Sequence, residues 1–499
     1  MKTLKHVCFT LVIICLSISC RKDIDFEPMS DSLTFSKDTV YLDTVFTNIK
    51  SAVYTLKAYN NSTKNIYIPK VGLANGEQSY YKLMIDGISG KTFENIEVLA
   101  KDSIYIFIET SIDFDKTRDK SYLYTDQIQF LGGAKPQNIE LVSLVRDAYF
   151  LYPKKDLNGI TEQIDVSKNK KENGFWLTEN HPTAGNTLHL TNKKPYVIYG
   201  FAAIPEGKKL IIDQGAELFF YNNSGLIAKK NSSIEANGTI EEPIVFTGNR
   251  LEYSYRYLPG QWRGIWLQET SKSSLNNLIV TNTDIGLIAE NTLDLNLYNV
   301  QIYNSVQYGL LAINAQINGK NLITANAGIS TMALQEGGNY SFIHSSLVNY
   351  WNAPDQTSLL IENKAETSLG SYTFENCLIY SSASTSFNIH SDEANIQKFK
   401  FKNNLFKDLS NRTMSYTFPY NYNDSTYYAD NFILTNQNSG KVVFADINRN
   451  KYQPTDQSSS ILGKAGIKTA QKVPNDLSGK LRSSEPDFGA YQHINTMQE

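Results

Sequence analysis

Three side chains in the second half of the chain have types and spacing suited to proton transfer. His344, Glu375 and Lys402 each stand two positions ahead of a small or polar residue that recurs through this region, namely Ser346, Cys377 and Asn404. If successive recurrences stack, His344 adjoins Glu375 and Glu375 adjoins Lys402, which gives a general base with its orienting acid. The same three would equally make a solvated ladder of complementary charges, each pair contributing little. Cleaving a polysaccharide by hydrolysis takes a pair of carboxyl groups. Here Asp213, Asp284, Asp294, Asp355, Asp392 and Asp408 are scattered, with no Asp-Asp pair followed by His or Arg. No catalytic residue is assigned beyond these three candidates, and no pattern calls for a metal ion or cofactor.

A second kind of chemistry is aromatic. Residues 250–266 (RLEYSYRYLPGQWRGIW) carry Tyr253, Tyr255, Tyr257, Trp262 and Trp266 with Arg250, Arg256 and Arg263. Flat rings stack on sugars and a guanidinium hydrogen-bonds hydroxyl or carboxylate groups. This segment is therefore the candidate ligand-binding loop. The competing role is structural, with Trp262 and Trp266 as packing anchors for an excursion of the chain. Residues 418–428 (FPYNYNDSTYY) are similar in kind and would serve as well as a lid.

Something must position these groups, and length and composition bound what it is. The chain has 499 residues, 41% hydrophobic and 19% charged, enough for two or three domains with large cores. Its formal charge is −3 and it has no Lys/Arg block, so the footprint of a nucleic-acid binder is missing. Residues 1–19 form an export signal, with Lys2 and Lys5 ahead of an apolar run too short to span a bilayer. Leu16-Ser17-Ile18-Ser19-Cys20 looks like a lipobox, which implies cleavage after Ser19 and a diacylated Cys20, although Ser17 stands where that pattern prefers Leu. Removing the signal leaves a charge of −5, with only Cys20 and Cys377 as cysteines. With Cys20 lipidated, the protein must be stable without disulfides, and Cys377 is expected to be buried.

Residues 20–32 are polar and read as a tether. Residues 33–149 are short alternating runs such as Ser103-Ile104-Tyr105-Ile106-Phe107-Ile108, separated by Asn-, Gly- and Asp-rich turns, the pattern of a β-sandwich. Residues 150–195 are polar and Lys-rich and read as a connection, docked through Phe175-Trp176. From 196 to 448 a repeat appears. Asn277-Leu278-Ile279 recurs as Asn299-Val300-Gln301, Asn321-Leu322-Ile323, Ser346-Leu347-Val348, Cys377-Leu378-Ile379 and Asn404-Leu405-Phe406, at intervals of 22, 22, 25, 31 and 27 residues. Gly264, Gly286, Gly309 and Gly328 run alongside. Periods of this length mean a solenoid. Mixed apolar slots and the lack of a helical stretch favour a parallel β-helix over leucine-rich repeats. The recurrent Asn would then be a ladder satisfying buried backbone groups. Residues 449–499 read as a C-terminal capping segment.

Leu210-Ile211-Ile212-Asp213-Gln214-Gly215, Ser233-Ile234-Glu235-Ala236-Asn237-Gly238 and Asp487-Phe488-Gly489-Ala490-Tyr491 extend the likeness to both ends of the repeat. The layout resembles the right-handed parallel β-helix lipoproteins of the pectate-lyase-like superfamily, of Bacteroidota type, after an Ig-like domain. The resemblance implies an all-β chain lipid-anchored at the outer membrane or cell surface. It also implies that the β-helix binds a glycan or a protein partner without catalysis. Its enzymatic members make a polysaccharide lyase or glycoside hydrolase acting on acidic polysaccharide the alternative. A purely structural adhesin is the third.

Overall fold

The computed structural model describes residues 25–493 except 48, 113–120, 134, 168, 354, 364–368, 392, 411–414, 416 and 437–439. The chain divides into two compact units, Met1–Arg146 and Asp147–Glu499. The expected signal and Cys20 lie outside the described residues. No helix among those described is long and apolar enough to cross a membrane.

The first unit is a sandwich of two sheets. One runs Glu27–Pro28, Ile66–Leu73, Ser121–Leu131, Gln137–Arg146 and Thr39–Phe46, with Thr92–Val98 also pairing Ile66–Leu73. The other runs Thr34–Phe35, Tyr54–Tyr59, Ser103–Thr110, Tyr81–Ile85 and Ile88–Gly90. Alternation decides which face is buried. Ile104, Ile106 and Ile108 point inward from Ser103–Thr110, while Tyr105 and Phe107 face solvent. Val40, Ile68, Ile128 and Leu141 of one sheet meet Leu56, Leu83 and Ile106 of the other in one core.

The second unit is a parallel β-helix, three strands to a coil, so each strand pairs with the one three positions on. Phe201–Ile204 pairs in parallel with Gly225–Ala228, which pairs with Gly264–Gln268. The handedness expected of such crossovers is right-handed. Coil stacking leaves one apolar column after another inside, for example Leu226, Ile265, Leu287, Leu310, Met332 and Leu359, all at most 2% exposed. Gly264, Gly286 and Gly309 share a column where the next coil comes too close for a side chain. A Cβ on Gly264, at φ +104°, would lie 1.7 Å from the Ile285 carbonyl oxygen. Gly328, expected in that series, stands three residues ahead of Thr331, which fills the slot.

The corners explain the asparagines. Asn277, Asn299, Asn321, His344, Asn376, Asn403 and Asp430 all have φ between 47° and 55°, left-handed backbone, where Asn, Asp and His are enriched among non-glycine residues. Asn282, Asn304 and Asn326 form a second left-handed column, and Glu269, Asn291, Asn314 and Glu336 a third. Amides along these columns bond the rung before them: Asn299 Nδ2 donates to Asn277 Oδ1 at 2.9 Å and Asn321 Nδ2 to Asn299 Oδ1 at 3.0 Å. The ladder therefore exists, but its later rungs are His344, Asn376 and Asn403, not Ser346, Cys377 and Asn404. Cys377 is fully buried, and burial pushes its thiol up to about 12.

Two segments differ from expectation. Residues 150–195 contain part of the first coil, because Tyr149–Leu151, Lys170–Trp176 and His189–Leu190 pair with the three strands that follow. Lys170–Trp176 also forms a hairpin with Gln163–Ser167. The C-terminal segment does more than close an end. Phe444, Tyr452, Ile461, Leu477, Phe488 and Tyr491 lie along the outer face of one sheet, over Ile323, Val348, Leu378 and Leu405. This strap also meets the Asn column: Arg482 donates to Asn321 Oδ1 at 2.8 Å, and Gly466 N donates to Asn376 Oδ1 at 2.9 Å.

Candidate functional site

The proton-transfer column comes apart in the structure. Glu375 and Lys402 are register partners, but the residue paired with Glu375 in the coil before is Ile343. His344 sits one position on, in the left-handed corner, wholly buried. Its Nδ1 donates to the Gly489 carbonyl oxygen at 3.1 Å, and Nε2 accepts from Asn376 Nδ2 at 2.9 Å. Both ring nitrogens are thus used by the ladder and the strap. Glu375 is held by Lys472 at 3.0 Å and Thr469 at 2.9 Å. Burial opposes its charge, yet these bonds, with Lys402 alongside, hold its carboxyl below the usual range. Glu375 thus fastens the strap.

Burial, reinforced by the charge of Arg482, holds the His344 imidazole well below its ordinary value, against the pull of the Gly489 bond. The unfolded chain's imidazole protonates near pH 6.5 while the native one stays neutral to lower pH. Above about pH 6.5 this group leaves stability untouched, and below it stability falls by up to about 1.4 kcal/mol per pH unit until the native value is reached. His344→Asn, which restores the commoner rung, is expected to flatten that slope. Denaturant unfolding of both chains at pH 7 and pH 5 measures it, and an unchanged pH difference would sink the assignment.

The aromatic loop is mostly occupied with itself. Arg250 stacks over Tyr255 at 3.9 Å and pairs with Glu252 at 2.8 Å, and Arg256 lies 5.6 Å from the ring centre of Tyr253. Gln261 Nε2 donates to the carbonyl oxygens of Tyr255 and Leu258, and Asn282 Nδ2 to that of Arg256. Tyr253 stays exposed and Tyr257 is half-buried. Arg263 bridges Asp284 at 2.6 Å and Asn223 at 2.8 Å. Trp262 is 1% exposed, stacked on Phe220 at 4.0 Å with rings 5° from parallel, and Nε1 donates to the Thr281 carbonyl oxygen. A ring so enclosed is a packing anchor and offers no face to a sugar. Residues 418–428 close the top of the core, with Phe418, Tyr422 and Tyr428 against Phe399, Phe401 and Phe406.

Of the loop's residues, Trp266 opens onto a groove of about 650 Å³ lined also by Asp165, Trp176, Glu206, Lys229, Glu269 and Glu290. The hairpin builds one wall: Ile164 and Val166 pack with Phe201, Ala203 and Ile227, and against them lies Trp266. Trp266 points outward from its strand, while its neighbours Ile265 and Leu267 point into the core. Its Nε1 donates to Glu290 Oε2 at 3.1 Å, which fixes the ring. Gln268 ties the wall down by donating to the Val166 carbonyl oxygen at 2.7 Å. Lys229 donates to Gln268 Oε1 at 2.8 Å and to the Asp165 carbonyl oxygen. Burial lowers the Lys229 ammonium from its ordinary value, with Asp165 and Glu290 partly restoring it. Trp176 stays 44% exposed. Indole faces, carboxylates and an ammonium around one concavity can stack on and hydrogen-bond a polyhydroxylated ligand.

The reading from sequence missed Trp176, Asp165, Lys229 and Glu290 as groove residues. The outward position of Trp176, next to the buried Phe175, was the one available signal. Among the described residues no group of three or more His, Cys, Asp or Glu could hold a metal ion.

No family model matches the chain, and no curated protein matches it. Among solved structures, it is similar to the ASH / PapD-like domain of human CEP192 at 10% identity, over 26% of this chain and 94% of that one, with a TM-score of 0.16. It is also similar to the catalytic domain of a GH87 alpha-1,3-glucanase in complex with nigerose, in two structures. Both are 9% identical, over 84% of this chain and 93% of theirs, with TM-scores of 0.17 and 0.15. At such scores neither likeness bears on function, and the all-β class stands on the strand pairing itself: a sandwich followed by a parallel β-helix.

Proposed function

We propose that the chain is a lipid-anchored envelope protein whose β-helix binds a glycan, without cleaving it, in the groove between Trp176 and Trp266. The observation that carries the reading is the pair of part-open indoles in one groove with polar groups fixed around them. Two of the four acids there are engaged in positioning: Glu269 pairs with Lys230 at 2.9 Å, and Glu290 holds Trp266. The lipobox-like run ending in Cys20 supports the anchor.

Native electrophoresis of the full chain in mild detergent, through gels each containing one polysaccharide, tests the binding. Stacking on one ring contributes about 0.5–1.5 kcal/mol, so Trp266→Ala is expected to weaken retardation about three- to tenfold. Trp266 also covers Ile164 and Val166, so Trp176→Ala, at an exposed ring, guards against loss by unfolding. Retardation unchanged in both variants rejects the groove. A cleared band in the carbohydrate stain would mean catalysis and restore the lyase or hydrolase alternative. For the anchor, Cys20→Ser is expected to move the protein from the membrane to the soluble fraction, and full membrane retention would reject lipidation.

A further inference from the structure

Charge in the groove selects among glycans, an inference that rests on the binding role just proposed. Among the described residues that line it, four carboxylates, Asp165, Glu206, Glu269 and Glu290, face two ammonium groups, Lys229 and Lys230. Two positive charges thus stand against four negative ones. Lys230 pairs with Glu269 at 2.9 Å, and Lys229, whose bonds to Gln268 and the Asp165 carbonyl oxygen leave its charge intact, stands in the field of Asp165 and Glu290. Asp165 meets Lys171 only across 3.7 Å in solvent. Glu206 makes no ion pair or hydrogen bond among the described residues and meets the Lys230 charge only at longer range, and Glu290 accepts an indole N–H and meets the Lys229 charge likewise at longer range. A groove whose lining carries two more carboxylates than ammonium groups, beside two indole faces, repels anions, and attracts a cation twice over, by charge and through the ring quadrupoles.

We infer that the groove takes an amine-bearing glycan, its protonated amines against Glu206 and Glu290 and its sugar faces on Trp176 and Trp266, and turns away acidic polysaccharides. Neutral sugars would gain the stacking and the hydroxyl contacts alone. The acidic polysaccharides of the lyase or hydrolase alternative are thus the class the groove suits least.

The test uses three probes on the full chain in detergent at low salt: a glucosamine hexamer, the N-acetylglucosamine hexamer with the same backbone and no charge, and oligogalacturonate. The amine form is expected to bind at least tenfold tighter than the acetylated one, and oligogalacturonate weakest. The preference should shrink as salt rises. Glu206→Gln with Glu290→Gln, which keeps an acceptor for the Trp266 N–H, should bring the amine form down to the acetylated one. Equal affinity for the two hexamers in the unaltered chain overturns the charge inference and leaves the glycan reading standing. If no hexamer and no oligogalacturonate binds, both fall. Tightest binding of oligogalacturonate, lost in Trp176→Ala, also overturns it. So does an oligolysine that binds as tightly as the glucosamine hexamer, because the groove then reads charge without reading sugar.

Discussion

Trp262→Ala is expected to cost about 3–5 kcal/mol of stability, the range for emptying a buried aromatic site. The ring fills the space against Phe220 at 4.0 Å and lies 6.5 Å from Phe246. Its loss also orphans the Thr281 carbonyl oxygen, which accepts the indole N–H at 2.8 Å, and an unsatisfied buried acceptor adds to the penalty. Denaturant unfolding measures the sum, and hydrogen exchange should show the loosening centred on Glu217–Phe220 and Ile244–Gly248, the strands that carry the two Phe partners. A stable variant that has lost only glycan retention would return Trp262 to the binding surface.

The second large effect belongs to Asn376. Its amide donates to His344 Nε2 at 2.9 Å and to the Gly466 carbonyl oxygen at 2.8 Å, while Oδ1 accepts from Gly466 N at 2.9 Å. Asn376→Ala leaves all three partners buried or half-buried without it, at about 1–3 kcal/mol for each group left unmet. It also puts a residue with no stabilising side chain at φ 55°, which adds about 1–2 kcal/mol. The expected result is a strap that lets go first: limited proteolysis should remove residues after 440 while the coils still resist. Asn314→Ala, at an exposed rung bonded to Asn291 at 2.9 Å, should cost less than half as much. Equal losses from the two would show that the strap contacts contribute nothing special.

How far the sequence could be read depended on the range of the interactions. Alternation in Ser103–Thr110 and the 22-residue intervals from Asn277 to Asn321 are local signals, and they announced both architectures. Register after Asn321 was lost for two physical reasons. His replaces Asn at 344 because the left-handed corner tolerates both, so a search for Asn or small residues passed over it. Asn403 and Asn404 are adjacent, and only pairing of Glu375 with Lys402 tells which one turns the corner. That single slip brought His344 beside Glu375 on paper. The groove was harder still, since its wall, Gln163–Trp176, reads locally as a Lys-rich connection. Only long-range contacts place it: Trp176 pairs with Ala203, and Gln268 reaches Val166. Trp262 and Trp266 are four residues apart and indistinguishable by type. Outward or inward placement on the coil separates an anchor from a platform.

The strap sets an order of assembly. Neighbouring rungs of the Asn column are only 22 to 32 residues apart in sequence, so coils can add one at a time as the chain is delivered. Arg482 reaches back 161 residues to Asn321, and Ala490 N reaches back 144 to Ser346. Closure therefore waits for the last residues to arrive. Until then Leu378 and Leu405 lie open to water, an apolar flank of the kind that chaperones and proteases read. A chain interrupted before residue 482 would thus carry on its surface the sign that it is unfinished.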